Sequence, residues 1–397
     1  MPLVPAGHRS WGFWLVTLAA TANYAVLAAT APLLNRAIPE HLGYDTAAAG
    51  AFVAIAGFTG MAAMPLLGYL AGRFGPRRIT ITAAIIATIG IAVATVAFTA
   101  PGLITSRIAY GIGNAGITVA TTAWVSASSP PESRGRALGY YGMSVWLGLA
   151  LGPMLSENAY ATVGNHDTWA ALLAAQTLTL VIAVAVRSGL TESVPPKSAP
   201  SPRKTSVRRA VAVPAAIAIA AWGAQGVLTA FLISHLEDRG ISPTGFQGGA
   251  TVLLVFAGSV LIARVTLATA TDRLGPTRAA RIALGLVALG LGGLAGAPTF
   301  VTACLAAVIL GFGYAPLYPS LTILATQPLS GPDRATAIGW FSAATSAGMA
   351  AGALVGGWLI VSVGSAATIG LCAVAQLAVL PLLKRQGPRG ASLATHR

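Results

Sequence analysis

Acidic residues are the scarcest feature of this chain: ten aspartates and glutamates stand against 24 lysines and arginines in 397 positions. Charged residues of both signs make up only 9%, where a soluble domain carries about a quarter, so the chain cannot close as one water-soluble globule. Cysteine is nearly absent too. Cys304 and Cys372 both fall in apolar runs without ligand spacing, which excludes a disulfide framework and a thiolate metal centre. There is no Walker-type phosphate loop, no catalytic triad spacing and no metal cluster. An ATP-driven pump or a membrane enzyme therefore has no residues to rest on, and no cofactor or metal is implied.

What is abundant is apolar. Hydrophobic residues make up 55% of the chain, and 46 glycines suit closely packed membrane helices. Runs of spanning length, about 20 residues each, lie near 11–34, 47–71, 79–99, 102–127, 137–162, 168–186, 209–234, 247–270, 279–297, 299–327, 336–362 and 364–383. The first is followed at once by further spans and is read as a retained helix, not a signal peptide. The expected fold is an all-α membrane protein of twelve transmembrane helices in two six-helix bundles. Residues 1–186 form the first bundle, 187–208 a basic linker rich in proline and serine, and 209–397 the second bundle with a tail.

The formal charge of +14 would suggest nucleic acid on a soluble face, but here it sits in short connectors between apolar runs. It reads as a topology signal, and the expected surroundings are membrane lipid, with no nucleic acid. Arg9, Arg73, Arg77, Arg78, Arg134, Arg136, Arg273, Arg278, Arg281, Arg334, the linker and the tail fall on one side, and only Arg36 and Arg239 on the other. Positive charge stays inside, so both termini are expected in the cytoplasm of a plasma or inner membrane protein. Glu40, His41, Asp45, His166, Asp167, Glu237 and Asp238 fall outside.

The two halves echo each other. Arg134, Gly139, Gly148 and Gly152 recur as Arg334, Gly339, Gly348 and Gly352, each 200 positions later. At the same offset Gly75, Pro76 and Arg78 return as Gly275, Pro276 and Arg278, and Gly111 and Gly113 as Gly311 and Gly313. A single offset shared by so many residues marks an internal duplication. Gly148 and Gly152 lie on one helical face and admit a neighbouring backbone, and Pro153 beside them permits a bend.

These residues resemble the major facilitator superfamily, and within it the twelve-helix drug:proton antiporters and sugar-efflux permeases. Gly68, Arg73, Gly75, Arg77 and Arg78 are similar to that family's loop between helices 2 and 3. Arg107, Gly111 and Gly113 resemble its helix 4 motif, and Gly139, Gly148, Gly152 and Pro153 its helix 5 antiporter motif. Gly72 stands where the loop usually carries aspartate, with Asp272 at the echoing position, and Ser156 and Glu157 stand where the helix 5 motif ends in glycines. The resemblance implies binding near the midplane, alternating access by rocking, a monomer, and a gate formed by the loop motifs with Asp272, Arg273 and Gly275.

Charges at membrane depth are costly enough to suggest function. Arg107 and Glu157 are expected at similar depth, near the outer ends of helices 4 and 5. Either they pair as a proton switch, with the arginine holding the acid ionised until the two part, or Glu157 is interfacial and Arg107 a clamp on helix 5. Arg264 either binds an anionic solute or snorkels. Asn23, Tyr24, Asn114, Trp222, Gln225, Tyr314 and Tyr318 are candidates for the cavity lining, which would favour a neutral or weakly charged amphipathic solute, whereas Trp340 suits the interfacial belt. The expected function is proton-linked export of a small drug-like or sugar-like solute. Uptake of an organic acid through Arg107 or Arg264, or a non-transporting membrane sensor, are the alternatives.

Overall fold

The structure, a computed structural model, describes residues 11–128, 134–186, 206–267, 274–329 and 332–386. Most of the expected linker, the end of the tail, Asp272 and Arg273 lie outside the described residues. The helices among these residues are α1 (Trp11–Leu42), α2 (Thr46–Phe74), α3 (Pro76–Val96), α4 (Ala100–Ser128), α5 (Arg134–Ala185), α6 (Val207–Glu237), α7 (Gly249–Thr266), α8 (Pro276–Gly296), α9 (Phe300–Thr326), α10 (Pro332–Val363) and α11 (Ser365–Val379). Ten of them are long and apolar enough to cross a membrane. Arg134 opens α5, and Gly139 lies in its second turn.

Local chemistry sets the helix ends. Gly75 (φ 90°) and Gly275 (φ 75°) make the turns before α3 and α8, where Pro76 and Pro276 start each helix without wasting a backbone donor. Asp45 caps α2 by accepting from the Ala48 amide at 2.9 Å, and Thr299 and Thr302 form a capping box on α9. Gly164, at φ 78° and ψ −174°, breaks α5 in a conformation essentially confined to glycine. The arm before it follows α1 in the same direction, with Gly148 against Ala25 and Ser156 against Ala29, while the arm after it runs back, with Thr179 donating to Ala19. The expected spans 137–162 and 168–186 are these two arms. With α4 also of spanning length at 29 residues, the described residues supply twelve segments that can cross.

Contacts repeat at the sequence offset of 200. A Cβ on Gly113 would strike Ala83 and Ala87, and one on Gly313 would strike Ala283 and Val287; Gly90 meets Tyr110 as Gly290 meets Leu310. Gly148 and Gly152 lie on α1 as Gly348 and Gly352 lie on α6. Gly164 and Gly364 both take positive φ, and Gln176 and Gln376 are both buried. The duplication therefore shapes the fold itself. Its outer surface is a belt of exposed Leu, Ile and Val such as Leu155, Val184, Leu289 and Leu305, which hydrocarbon can cover.

Between the halves, α1 packs on α6, α2 on α10 and α5 on α7. One end of the bundle carries Glu40, Asp45, Asp167, Glu237 and Asp238; the other carries Arg73, Arg77, Arg78, Arg278 and Arg281. At the acid-rich end the halves touch closely: Asn35 donates to Ser234 at 2.8 Å, the Gly245 amide donates to Asn158 at 3.4 Å, and Gly50 and Gly57 lie against Ala353 and Ala350. At the arginine-rich end Gly72 and Gly339 have nothing packed over them, and Leu66, Tyr69, Ile338 and Trp340 are exposed. Among the described residues, the halves are shut at the acid-rich end and apart at the other.

Two helices run further than their apolar runs. α1 was expected to stop near 34 and continues to Leu42, and α6 was expected to stop near 234 and continues to Glu237. Charged residues end a hydropathy run without ending a helix, since the backbone keeps its hydrogen bonds past the membrane edge. Arg36 and Glu237 are thereby fixed on helices instead of belonging to loops.

Candidate functional site

A cavity of about 140 Å³ lies between the halves. α1, α2, α4 and α5 line it from one side with Leu27, Met61, Met64, Leu149, Arg107 and Asn114; α6 and α10 line it from the other with Thr229, Ser346 and Met349. Small residues bring the walls together: Gly57, Gly60, Gly111 and Gly226 are all part of the lining. Gly111 packs so closely on Ala56 and Thr59 that any side chain there would push α4 off α2.

Arg107 is 1% exposed. Its Cζ stands 5.0 Å from the Tyr110 ring centre and 5.7 Å from that of Trp169, and its Nε and Nη2 are buried without a hydrogen-bond partner. Asn114 accepts from the amide of Asn23 at 2.7 Å, and Asn23 is itself fully buried behind it. Tyr24 is buried too and donates to Thr118. The cavity wall on this side is a built polar surface, α1 against α4.

The expected pairing of Arg107 with Glu157 does not form. Glu157, 3% exposed, is paired instead with Nε of Arg36 at 3.2 Å. Arg36 reaches across to Glu237 of the second half at 2.7 Å through Nη2. The reason is the extra length of α1, which carries Arg36 alongside α5, whereas the Arg107 guanidinium is held between Tyr110 and Trp169. Glu40 joins the same cluster, accepting from Tyr160, whose ring centre is 6.0 Å from Arg36. These groups, with Asn35 and Ser234, line a second cavity of about 260 Å³ at the acid-rich end. The sequence exposed both Arg36 and Glu237 as outer charges, but nothing in a run-by-run reading places them face to face.

The aromatic candidates gather elsewhere. Trp222 lies 6.0 Å from Tyr314 and 5.8 Å from Tyr318, and Phe256 and Phe341 complete the cluster. Tyr314 donates to the Ala221 carbonyl and Gln225 is buried beside Gly226, so Trp222, Gln225 and Tyr314 hold α6 to α9, whereas Tyr318 is half-buried and within electrostatic reach of Tyr24 of the first half and of Arg264. Of the expected lining, Asn114 belongs to the central cavity and Tyr318 lies at the seam between the halves. Arg264 is half-buried with its Cζ 5.6 Å from the ring of Trp146, on the seam where α7 meets α5. Trp340 is 65% exposed, as an interfacial residue would be.

In the gate motif, Arg77 donates from Nε to Val186 and from Nη2 to Val184, both at 2.9 Å, and so ties α3 to the end of α5 within one half. Gly68 packs on Val119, while Arg73 and Arg78 are exposed, Arg73 over the ring of Phe74. Among the described residues no carboxylate pairs with either.

Two six-helix repeats closed at one end around a midplane cavity match a known family. The Major Facilitator Superfamily model aligns with residues 13–327 and again with 217–395. The chain belongs to the Major Facilitator Superfamily. It is a multi-pass membrane protein of that type. An uncharacterised superfamily transporter of Salmonella typhimurium is 25% identical over 244 residues, 61% of this chain and 60% of that protein. One from Pseudomonas aeruginosa is 29% identical over 117 residues, 30% of this chain and 28% of that protein. The chain thus matches less than two thirds of the length of either relative. Among solved structures, the nucleoside transporter NupG superposes with a TM-score of 0.77 at 12% identity, covering 95% of this chain and 100% of that one. An auto-inhibited POT family peptide transporter superposes with a TM-score of 0.78 at 12% identity, covering 98% and 99%. At such identities these likenesses establish the superfamily fold.

Proposed function

We propose that this chain exports a small organic solute in exchange for protons, acting as a monomer in the bacterial inner membrane with both termini cytoplasmic and the acid-rich end outside. The halves 1–186 and 209–397, joined by the linker 187–208, would rock about the central cavity. The observation that carries the reading is the cluster in which Arg36 holds Glu157 of its own half and Glu237 of the other.

The cluster supplies a coupling rule. With Glu157 ionised, the ion pairs hold the acid-rich end shut, so the empty carrier is locked facing the cytoplasm. A symporter needs its empty, deprotonated form to return; an antiporter must prevent that return. Solute entering the central cavity shifts the balance toward opening. Once the outer end opens, Glu157 leaves Arg36 and takes a proton, and the neutral carrier can close again. Re-forming the pair with Arg36 requires the carboxylate, so once the outer end has shut the proton leaves toward the cytoplasm through the central cavity, whose Ala31 and Thr229 adjoin Pro32 and Ala230 of the outer one. Glu40 and Glu237 are the other titratable groups facing this site, and Arg36 is its cation.

The test is proton flux in proteoliposomes on addition of radiolabelled small organic solutes, with inverted and right-side-out vesicles compared. Export predicts solute-driven proton movement in the opposite direction to the solute, absent in Glu157→Gln. Co-directional movement would convert the reading to uptake, and coupling that survives Glu157→Gln would remove Glu157 from the mechanism.

A further inference from the structure

We propose that the central cavity takes a small organic anion and that Arg107 grips its carboxylate. This rests on reading that cavity as the transport site, and it narrows the solute beyond it. The same half of the protein shows what a structural arginine does here. Arg77 satisfies Nε and Nη2 with two helix-end carbonyls at 2.9 Å each. Arg107 leaves the same two nitrogens without a partner although it is 99% buried and lines the cavity wall. A guanidinium is protonated at any physiological pH and accepts nothing, so a buried one calls for an acceptor.

The protein provides none. Tyr110 and Trp169 offer ring faces, which attract the cation without accepting its N–H groups in the usual sense, and the Tyr110 hydroxyl is engaged with the Asn23 carbonyl. The cavity lining contains no carboxylate. Its polar members besides Arg107 are Thr30, Asn114, Thr229 and Ser346; the Thr30 and Thr229 hydroxyls donate to the Leu27 and Gln225 carbonyls, so Asn114 and Ser346 are left as donors. Asn114 spends its oxygen on Asn23, which leaves its NH₂ group for a ligand oxygen. The remaining wall is apolar, with Leu27, Leu149 and three methionines. This set fits a planar carboxylate on a compact apolar body. A cavity of about 150 Å³ accepts benzene, so an acid the size of benzoate is within range.

Arg264 extends the argument along the pathway. It sits between α5 and α7, on the seam between the halves, over Trp146 and with Nε also unpartnered. An anion entering from the arginine-rich end would meet this cation before Arg107, which raises its local concentration without fixing its pose.

The experiment is equilibrium binding to the full-length protein in detergent at pH 7, comparing benzoate with benzamide and hexanoate with hexanamide. The acids should bind about 10- to 100-fold tighter than their amides, the range of a charge-assisted hydrogen bond over a neutral one. Arg107→Gln should bring each acid down to its amide, and Arg107→Lys should keep the preference for charge while weakening it, so the test holds even if the glutamine variant fails to fold. Arg264→Gln should cost less and flatten the salt dependence of association. Equal binding of acid and amide, no binding of either acid, or a preference that survives Arg107→Gln overturns the proposal. If neutral amides drive proton flux while the acids do not bind, the transport reading stands and the anion site falls. If the acids bind through Arg107 but no solute moves in vesicles, the site stands and transport falls.

Discussion

The two halves of this protein share a scaffold and differ in chemistry. Glycine seams, helix breaks and buried glutamines recur at one offset, yet the working groups do not: Arg107 faces Ala307 across the repeat, Glu157 faces Gly357, Arg36 faces Leu236 and Asn114 faces Tyr314. The first half has the two most deeply buried charges, Arg107 and Glu157, while the second contributes the more exposed Glu237 and Arg264 and packs its equivalent volume around Trp222, Phe256, Tyr314 and Phe341. Close packing tolerates few alternatives to glycine, so it keeps both copies alike. A transport site needs its charge once, on one wall, and duplication leaves the other copy free to diverge.

If that division holds, equivalent seam positions should respond alike and equivalent site positions should not. The largest effect is expected at the seams. Gly152→Val and Gly352→Val would each press a side chain into the α1 or α6 backbone, and overpacking of this kind costs about 1–3 kcal/mol or more. Both should lower the melting temperature sharply or yield no monodisperse protein in a fluorescence-detected sizing run. A well-folded Gly352→Val beside an unfolded Gly152→Val would break the comparison.

Next comes the acid cluster. Glu157→Gln should remove proton coupling while leaving the protein folded, whereas Gly357→Ala, its partner in the repeat, should press α10 off Thr46 of α2 and loosen the closed end while keeping coupling. The Glu237 carboxylate is 43% exposed, so Glu237→Gln should cost no more than about 1 kcal/mol of stability and act mainly by loosening the acid-rich end. The helix breaks carry no site residue, so they should change stability and leave coupling alone. Gly164→Ala and Gly364→Ala strain a conformation that disfavours a Cβ, for about 1–3 kcal/mol each, and should give similar shifts in thermal unfolding.

The scaffold was legible in the sequence for the same reason that it is duplicated. Apolar runs mark crossings, and a repeated glycine has to meet a backbone. The site was legible only in part. Arg107 and Glu157 stood out as charges in apolar runs, and Asn23 and Asn114 as amides there, and the structure joins the two asparagines and buries both charges. Partnership was not legible. Whether Glu157 meets Arg107 or Arg36 depends on how far α1 continues past the apolar run, and hydropathy is silent about helix beyond the membrane edge. Trp222, Gln225 and Tyr314 show the converse limit: a helical face of polar aromatics reads the same whether it faces a cavity or its own bundle.

The central claim is that the Arg36–Glu157–Glu237 cluster holds one end of two rocking halves closed. Spin labels can read this directly on a background with Cys304 and Cys372 replaced by alanine. One pair, at Tyr44 and Phe246, would span the acid-rich end and another, at Tyr69 and Trp340, the arginine-rich end; all four side chains are exposed. In Glu157→Gln, the account predicts that the first distance lengthens and the second shortens, and that lowering the pH moves the parent protein the same way, because protonation removes the negative partner of Arg36. Distances that stay fixed in Glu157→Gln, or that lengthen together at both ends, would contradict it.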